Sequence, residues 1–368
     1  MTKPTSQLSS QPTWPRGDAL GEIGAEQFLA EYWQKKPLLI RQAFPDFQCP
    51  VSGDDLAGMA CDEEIESRLV IGRDKEWHLQ QGPFDEEDFA ALPPSHWTLL
   101  VQAVDHWVPE VHDLLQHFRF IPDWRRDDIM ISYAAPGGGV GPHYDNYDVF
   151  LIQGHGQRRW QTGQLCDSNS PLMDNDQLCL LETFEGDEDW TLNPGDMLYL
   201  PPRVAHLGEA VTEHCITLSV GFRAPSEQDI LMDFSQLAAQ ELSEHQRYSD
   251  PDLELQPHPA QITDAAIDRI QAILEKYAGN RELIAQWLGE TMTRSKYPEF
   301  EEDMEPAANE ALPLDTRLAW RKQDKSDQVQ LFMNGQCYVL PATQKALIEK
   351  LCNNRTLSQT EWQALGIQ

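Results

Sequence analysis

Apolar and polar residues follow two different periods in this 368-residue chain. Up to about residue 225 they tend to alternate, as in 128–133 and 147–151, and a period of two predicts β-strands. Farther along, apolar residues recur every three or four positions, which predicts amphipathic helices. The helical segments are 230–242, 262–277 and 280–292. We therefore expect a β-rich domain over 1–225 and a helical module over 226–298.

The last part of the chain, 299–368, mixes both periods. The pair Asn334 and Gly335 between two apolar runs is a strong signal for a two-residue β-hairpin turn. The predicted elements are a strand at 316–321, a hairpin over 328–340 and helices at 342–352 and 359–365. This combination favours a winged-helix-like fold. Since no stripe of basic residues accompanies it, we expect a protein-docking or structural role rather than DNA binding.

His143, Asp145 and His206 are the candidate metal ligands. His143 and Asp145 stand two residues apart in an extended run, which predicts that both side chains lie on one face of a strand. His206 ends an apolar strand that follows a predicted turn at 193–196. Two histidines and a carboxylate form the facial triad of non-haem Fe(II) oxygenases, which leaves coordination positions open for catalysis. A catalytic zinc site uses the same ligand types, so both metals stay open.

Arg158 is the candidate ligand of an anionic cosubstrate. The alternating run after Asp145 reaches a turn at 154–156 and returns as 158–160, which predicts a β-hairpin. Arg158 and Trp160 would share a face of it, and a guanidinium in a protein interior needs an anionic partner. 2-Oxoglutarate fits, because its 2-oxo acid end can chelate iron while its far carboxylate contacts Arg158. The alternative is a solvated pair of arginines at the end of a hairpin.

The strand predicted at 128–133 supplies candidates for cosubstrate and substrate contacts. Its alternation places Asp128, Met130 and Ser132 on one face. Ser132, the nearest of these to the glycine run, is expected to contact the cosubstrate carboxylate. Asp128 and Met130, with Tyr147 opposite, would form an acidic end and an apolar clamp for a long cationic side chain. The alternative is that this face lies at the sheet surface and meets water.

The charge balance is strongly acidic, with 60 acidic and 28 basic residues and a formal charge of −32. A field of this sign repels nucleic-acid phosphates and attracts basic proteins. We therefore expect a basic protein partner and no direct nucleic-acid binding. Taken singly, acidic runs such as 85–88 are better explained as solvated faces that keep the protein in solution.

Cysteine usage and hydropathy bear on the cellular compartment. The chain has seven cysteines and no CxxC spacing, which argues against a disulfide framework or a zinc knuckle and suits a reducing cytosol. The amino-terminal segment lacks an apolar core, and no run of about 18 apolar residues occurs, so we expect neither a secretory signal nor a membrane span. These features predict a cytoplasmic protein.

Two segments resemble a known family. Residues 28–41, FLAEYWQKKPLLIR, are similar to the amino-terminal motif of the JmjC-type, cupin-fold ribosomal oxygenases, and residues 141–160, GPHYDNYDVFLIQGHGQRRW, are similar to the core of that family. The resemblance covers roughly the first 225 positions. It implies a double-stranded β-helix (cupin, jelly-roll) barrel and a protein hydroxylase that depends on Fe(II), 2-oxoglutarate and O2.

The family pattern also matches individual residues. Its iron ligands match His143, Asp145 and His206, and its cosubstrate-binding cation matches Arg158. Animal relatives typically have lysine at this last place, so the arginine points to the bacterial branch, which resembles an arginyl hydroxylase of a large-subunit ribosomal protein. The resemblance further implies that 226–298 is a dimerisation module and the protein a homodimer. From pattern alone, a role of these helices in the protein's own core is almost as well supported.

Other functions stay open. Histidyl hydroxylation, the activity of the animal members, and demethylation use the same oxidant within the same JmjC class. A different metal-dependent cupin enzyme, such as an isomerase or a small-molecule dioxygenase, would turn over without a protein substrate. A non-catalytic, metal-binding cupin module would show no 2-oxoglutarate turnover.

Overall fold

The computed structural model describes residues 19–73, 76–175, 177–240, 242–297, 311–323 and 326–367. The amino-terminal segment in which we expect no signal sequence, and the expected boundary between 298 and 299, lie outside the described residues. Within the described residues, no helix combines the length and the hydropathy that a membrane-spanning segment needs.

The part of the chain before residue 225 consists mainly of strands, as its alternating pattern predicts. The strands are β1 (Leu38–Ile40), β2 (Ser67–Arg73), β3 (Glu76–Gln81), β4 (Trp97–Val101), β5 (Arg126–Ala134), β6 (Val149–His155), β7 (Arg158–Leu165), β8 (Glu188–Leu192), β9 (Met197–Leu200), β10 (Val204–Ala210) and β11 (Cys215–Phe222). The α-helices are α1 (Gly24–Glu31), α2 (Gly53–Ala60), α3 (Glu86–Ala90) and α4 (Pro109–Leu114). Ser52 and Asp85 cap α2 and α3 with reciprocal side-chain and backbone hydrogen bonds, which explains where these helices begin.

These strands form two sheets that pack face to face. The larger has the order β1-β9-β6-β11-β5-β4-β2-β3, and the smaller has the order β10-β7-β8. Val149 and Leu151 of β6 pack against Trp160 of the smaller sheet. Phe150 and Ile152, on the opposite face of β6, join the core that includes residues of the amino-terminal helices. The larger sheet is therefore covered on both faces, and the arrangement is the cupin-type barrel that the resemblance implies.

The predicted hairpin between β6 and β7 is wrong. β6 pairs with β9 and β11 in the larger sheet, whereas β7 pairs with β10 and β8 in the smaller one. The turn at 154–156, in which Gly156 has φ +63°, carries the chain from one sheet to the other. A glycine turn between two strands is found both in hairpins and where a chain crosses from one sheet to another, so the local sequence does not distinguish the two. Which of them forms depends on the distant strands that pack against each face.

Beyond residue 225 the predicted helices and the predicted small sheet both occur. They are α5 (Glu227–Gln240), α6 (Asp264–Ala278), α7 (Arg281–Thr293), β12 (Leu318–Lys322), β13 (Gln328–Met333), β14 (Gln336–Pro341), α8 (Lys345–Asn354) and α9 (Gln359–Leu365). Thr263 and Asn280 cap α6 and α7 by accepting backbone N–H bonds. Asn334 and Gly335 both have positive φ, 47° and 78°, which suits the two-residue turn between β13 and β14.

Candidate metal centre

The three candidate ligands converge beside β10 of the smaller sheet. His143 and His206 form an isolated antiparallel bridge, in which each backbone N–H donates to the other residue's carbonyl at 3.1 and 2.8 Å. Their ring centroids lie 4.2 Å apart. Oδ2 of Asp145 is 3.7 Å from Nε2 of His206. One ligand atom from each of the three residues falls within 4.8 Å of the others, a spacing that one metal ion can bridge.

Backbone contacts orient both imidazoles. Nδ1 of His143 donates to the carbonyl of Gly141 at 2.9 Å, and Nδ1 of His206 donates to the carbonyl of Val204 at 3.0 Å. Because a carbonyl only accepts, each ring carries its proton on Nδ1 and keeps the lone pair of Nε2 for a metal. Burial and the neighbouring His143 lower the pKa of His206 to about 4, although Asp145 opposes them, so the His206 ring is neutral at pH 7. The donor set therefore fits a divalent metal.

The expected reason for the proximity of His143 and Asp145 is wrong, although their proximity is observed. Asp145 lies in the loop between the bridge at His143 and the start of β6, and not on a shared strand. Its backbone is held by the N–H of Arg203, which donates to the Asp145 carbonyl at 2.6 Å. The loop, anchored to the end of β9 and the start of β10, therefore positions this carboxylate, whereas the period-two argument assumed a regular strand.

The glycine run before His143 allows the loop to approach the smaller sheet closely. A Cβ on Gly139 would lie 2.3 Å from the carbonyl oxygen of Gly208 on β10, and a Cβ on Gly208 would lie 2.6 Å from the ring of Trp160. The backbone carbonyl cannot yield without distortion of β10, so only glycine fits at 139, and a larger residue at 208 would have to displace the Trp160 ring. Trp160 in turn packs 6.0 Å, centroid to centroid, from the ring of His206. Glycine at these positions therefore lets the loop and the tryptophan pack close to the metal ligand.

Arg158 is a buried cation with unpaired donors. Only 3% of its surface is exposed, and its Nε and Nη2 atoms have no hydrogen-bond partner among the described residues. Its guanidinium lies 5.6 Å from the centroid of Trp160. The alternative of a solvated arginine describes Arg159 instead, which is exposed and pairs with Asp189. A buried guanidinium with free donors is costly unless an anion pairs with it, so this position fits a carboxylate cosubstrate.

All eight residues that the sequence singles out line one cavity of about 750 Å³. They are Asp128, Met130, Ser132, His143, Asp145, Tyr147, Arg158 and His206. β5 alternates as predicted, because Ile129 and Ile131 of the same strand are fully buried in the core on its other face. Asp128 and Ser132 are buried, so this face lines the cavity and does not form a wet outer surface of the sheet.

Ser132 and Tyr147 occupy different surroundings in this cavity. Ser132 is buried, and its hydroxyl donates to the carbonyl of Thr217 at 3.4 Å. Tyr147 stands at the mouth with 42% of its surface exposed. Burial of the phenol end and the neighbouring Asp145 raise the pKa of Tyr147 above its usual range, so its hydroxyl stays protonated and can donate to that carboxylate.

Lys296 belongs to the same cavity, and the sequence reasoning missed it. Its Nζ lies 3.0 Å from Oδ2 of Asp128, and the side-chain amide of Gln102 donates to the same oxygen at 2.8 Å. Asp128 is thus already paired within the chain. The two partners are 168 positions apart, and no motif or spacing connects them. The burial of Asp128, which only the folded chain shows, requires a cation nearby.

Comparisons with known proteins extend these observations. A family model described as "JmjC domain" matches residues 113–230, and one described as "ROXA-like winged helix" matches residues 270–365. The second match begins within α6, so α7 falls inside it. These two matches together cover the barrel core and the carboxyl-terminal elements, in agreement with the fold described above.

Two bacterial proteins and one solved structure are similar along much of the chain. Ribosomal protein uL16 3-hydroxylase of Escherichia coli is 41% identical over 270 residues, which cover 73% of this chain and 71% of that protein. A probable ribosomal oxygenase of Haemophilus influenzae is 42% identical over 235 residues, 63% of this chain and 56% of that protein. The structure of YcfD, a ribosomal oxygenase from Escherichia coli, in complex with cobalt and 2-oxoglutarate has a TM-score of 0.77 at 34% identity and covers 92% of this chain and 91% of that one.

Proposed function

This chain belongs to the bacterial ribosomal oxygenases of the JmjC class, and we propose that it is an Fe(II)- and 2-oxoglutarate-dependent hydroxylase of an arginyl residue in a large-subunit ribosomal protein. The relative in Escherichia coli is named for hydroxylation of uL16, so the corresponding ribosomal protein is the substrate we propose here. A ribosomal protein as substrate also favours the cytoplasm as the place where this enzyme acts.

The observation that carries this proposal is a metal-ligand cluster beside a buried, unpaired cation in one cavity. His143, Asp145 and His206 offer three ligand atoms within 4.8 Å of one another. Arg158, on the wall of the same cavity, has two buried donors without partners among the described residues. A metal that needs open positions and a cosubstrate that carries a carboxylate at each end would satisfy both features together.

The chain's own residues would bind and orient the cosubstrate and would exclude water from it. When bound, the ferrous ion and 2-oxoglutarate supply an oxidation in which O2 converts the cosubstrate to succinate and CO2 and inserts one oxygen atom into a C–H bond of the target. Arg158 would hold the far carboxylate of the cosubstrate, with Ser132 as a second donor. The apolar wall that includes Trp160 limits water around that contact, which strengthens it.

The far end of the cavity suits a cationic target. Asp128 would accept from the guanidinium, while Met130 and Tyr147 would flank the aliphatic stem of the side chain. The chain's formal charge of −32 favours encounter with a basic ribosomal protein. These roles for Asp128, Met130 and Tyr147 rest on their common position in the cavity and on the chemistry of an arginyl side chain.

Mass spectrometry tests the proposal directly. The purified chain is incubated with Fe(II), 2-oxoglutarate, O2 and ribosomal protein uL16, and the product is examined for a mass increase of one oxygen atom on an arginyl residue. The Asp145→Ala variant and a reaction without 2-oxoglutarate serve as controls and should give no increase. Oxygen on a histidyl residue would favour the histidyl hydroxylase function, loss of a methyl group would favour demethylation, and no cosubstrate turnover at all would leave a binding module.

We also propose that the protein is a homodimer through α5 and α6. α6 buries none of its residues within the chain, although it carries an apolar stripe. The most exposed large apolar side chains of the two helices are Leu231 and Met232 on α5 and Ile267, Ile270, Ile273 and Leu274 on α6. Exposed apolar side chains on helices of this kind favour self-association, and a second copy of the chain presents the same side chains. We propose a division of the chain into a catalytic domain over 1–225, a dimerisation module over 226–298 and a winged-helix-like domain over 299–368.

A further inference from the structure

The acidic end of the cavity is occupied by a cation of the same chain. Nζ of Lys296 lies 3.0 Å from Oδ2 of Asp128 and 3.7 Å from Oδ2 of Asp127. We propose that Lys296 is an internal competitor of the cationic target side chain, which displaces it from Asp128 when substrate binds. This inference rests on the proposed function, because it assigns Asp128 to the substrate's cation.

The burial of the pair explains why Asp128 needs a cation at all times. The Asp128 side chain is 6% exposed and that of Lys296 is 29% exposed. Among the described residues, Lys296 is the one cation within ion-pair distance of Asp128. A carboxylate so enclosed is costly without a positive partner. Lys296 therefore balances the charge of Asp128, and the target's guanidinium would replace it in the complex.

Asp127 gives Lys296 a second carboxylate to move to. The same Nζ is already 3.7 Å from Asp127, which also accepts a hydrogen bond from Nε of Arg223 at 2.8 Å. A short shift of the flexible lysine stem would keep it paired while it frees Asp128. The freed carboxylate could then take two parallel bonds from a guanidinium, whereas an ammonium is a point charge without that fork. The guanidinium of the target can thus replace the Lys296 ammonium at Asp128 with only a short movement of the lysine side chain.

The backbone that carries Lys296 is held by contacts on both sides of the lysine. Before it, Nη1 of Arg223 donates to the carbonyls of Met292 and Arg294 at 3.3 and 2.9 Å. After it, the hydroxyl of Tyr297 donates to Oε2 of Glu66 at 2.8 Å. Replacement of the lysine side chain leaves these contacts in place. A variant therefore tests the side chain and not the position of the segment.

The experiment compares Lys296→Met, Lys296→Arg and the wild-type chain, with Lys322→Met as the matched control. Lys322 is an exposed lysine at the end of β12, away from the cavity. Two quantities are measured with metal and 2-oxoglutarate present: the dissociation constant of N-acetyl-L-arginine amide without O2, and the KM for a uL16 fragment during turnover. Thermal unfolding of each variant gives its stability.

Loss of the competitor should strengthen substrate binding. We expect Lys296→Met to lower both the dissociation constant and the KM roughly three- to tenfold. Lys296→Arg should raise both constants, because an arginine at 296 can pair with Asp128 through two bonds. Lys322→Met should leave both unchanged.

A purely structural lysine would lower the stability of the Met variant without strengthening binding. If the arginine amide binds Lys296→Met no more tightly than wild type, the inference is wrong even when wild type hydroxylates uL16. If wild type fails to hydroxylate but the amide binds as expected, the proposed function fails and the competition stands.

Discussion

His143 and His206 are joined through their main chains as well as through their proposed role at a metal. Each donates its backbone N–H to the other's carbonyl, at 3.1 and 2.8 Å, in an isolated bridge that joins the loop at His143 to β10. Their ring centroids lie 4.2 Å apart, and the backbone bridge fixes the position of the two residues relative to each other. Preorganised ligands lose little conformational entropy on binding, so the metal affinity should depend on the three side chains and not on folding of the loop.

Removal of a ligand should abolish metal binding while the fold remains. We expect Asp145→Ala and His206→Ala each to weaken cobalt binding by more than the roughly 10- to 100-fold that loss of an outer hydrogen bond costs. Titration with Co(II), followed by visible absorption, measures this. His78→Ala, which changes an exposed histidine on β3, is the control and should bind like wild type. Full affinity in Asp145→Ala would remove that carboxylate from the metal site.

Replacement of Arg158 should raise the requirement for 2-oxoglutarate. Its buried donors would supply charge-assisted hydrogen bonds of about 1.5–3 kcal/mol, so we expect Arg158→Ala to raise the cosubstrate KM roughly 10- to 100-fold. Arg158→Lys keeps the charge but loses the forked pair of donors, so its KM for 2-oxoglutarate should lie between those of wild type and Arg158→Ala. Arg159→Ala, on the exposed face of the same strand, is the control. An unchanged cosubstrate KM in Arg158→Ala would assign that arginine to structure alone.

Gly208→Ala should disturb the cosubstrate side of the site. The new Cβ would lie 2.6 Å from Trp160, which neighbours both His206 and Arg158. Overpacking of this kind costs about 1–3 kcal/mol, and we expect a lower Tm together with a higher KM for 2-oxoglutarate. Gly58→Ala is the control, since a Cβ there meets nothing within 4 Å and sits inside α2. It should raise stability by about 0.5–1 kcal/mol. A Gly208→Ala chain with wild-type Tm and KM would contradict the packing argument.

Asp105 should make stability depend on pH between about 4 and 7. Burial, with a smaller contribution from Asp128, raises the pKa of Asp105 from 3.8 to about 6, although His106 opposes the shift. Below pH 3.8 both folded and unfolded chains carry the proton, so the group then contributes no penalty. As the pH rises toward 6 only the unfolded chain loses the proton, and stability falls by up to about 3 kcal/mol before it levels off.

Asp105→Asn removes this titration and keeps an oxygen that can accept the N–H of Ile129, now bonded at 2.7 Å. The Tm of the variant minus that of wild type should therefore increase from pH 4 to pH 7, as measured by thermal unfolding in a buffer series. A constant difference across this range would show that Asp105 is ionised in the folded chain at acidic pH.

A charge on the exposed stripe of α6 should produce monomers if the proposed homodimer forms there. Ile270 is 47% exposed in the single chain, and in a dimer interface Ile270→Glu would bury an unpaired carboxylate. Light scattering after size-exclusion chromatography measures the mass. Ala272→Glu places the same charge on the opposite face of this helix and should leave the dimer intact. Equal masses for wild type and Ile270→Glu would exclude this surface as the interface.

Several elements follow from local sequence alone. The alternation over 128–133 correctly separates Asp128, Met130 and Ser132, which face the cavity, from the core residues of β5. The Asn334-Gly335 turn and the three helices after residue 225 occur where the pattern predicts them. Each of these features depends on steric preferences and periods within a few residues, and these operate in the same way in every fold.

Pairings between distant segments did not follow from local sequence. The link at 154–156 looks like a hairpin turn, yet it joins two sheets, and Asp145 reaches His206 from a loop and not from a strand. Nothing in the sequence near Asp128 points to Lys296, which lies beyond the barrel and past three helices. These contacts depend on which surfaces bury each other when the whole chain folds.

The sequence by itself thus determined the chemistry available to this protein: the ligand types, the arginine for an anionic cosubstrate, the acidic balance and the order of strands and helices. Only the tertiary structure decided that eight separated side chains share one cavity, that Arg158 is buried with two donors that no described residue accepts, and that Lys296 pairs with Asp128. The physical reason is that periodicity is set by backbone geometry over a few residues, whereas burial and ion pairing are set by packing across the whole chain.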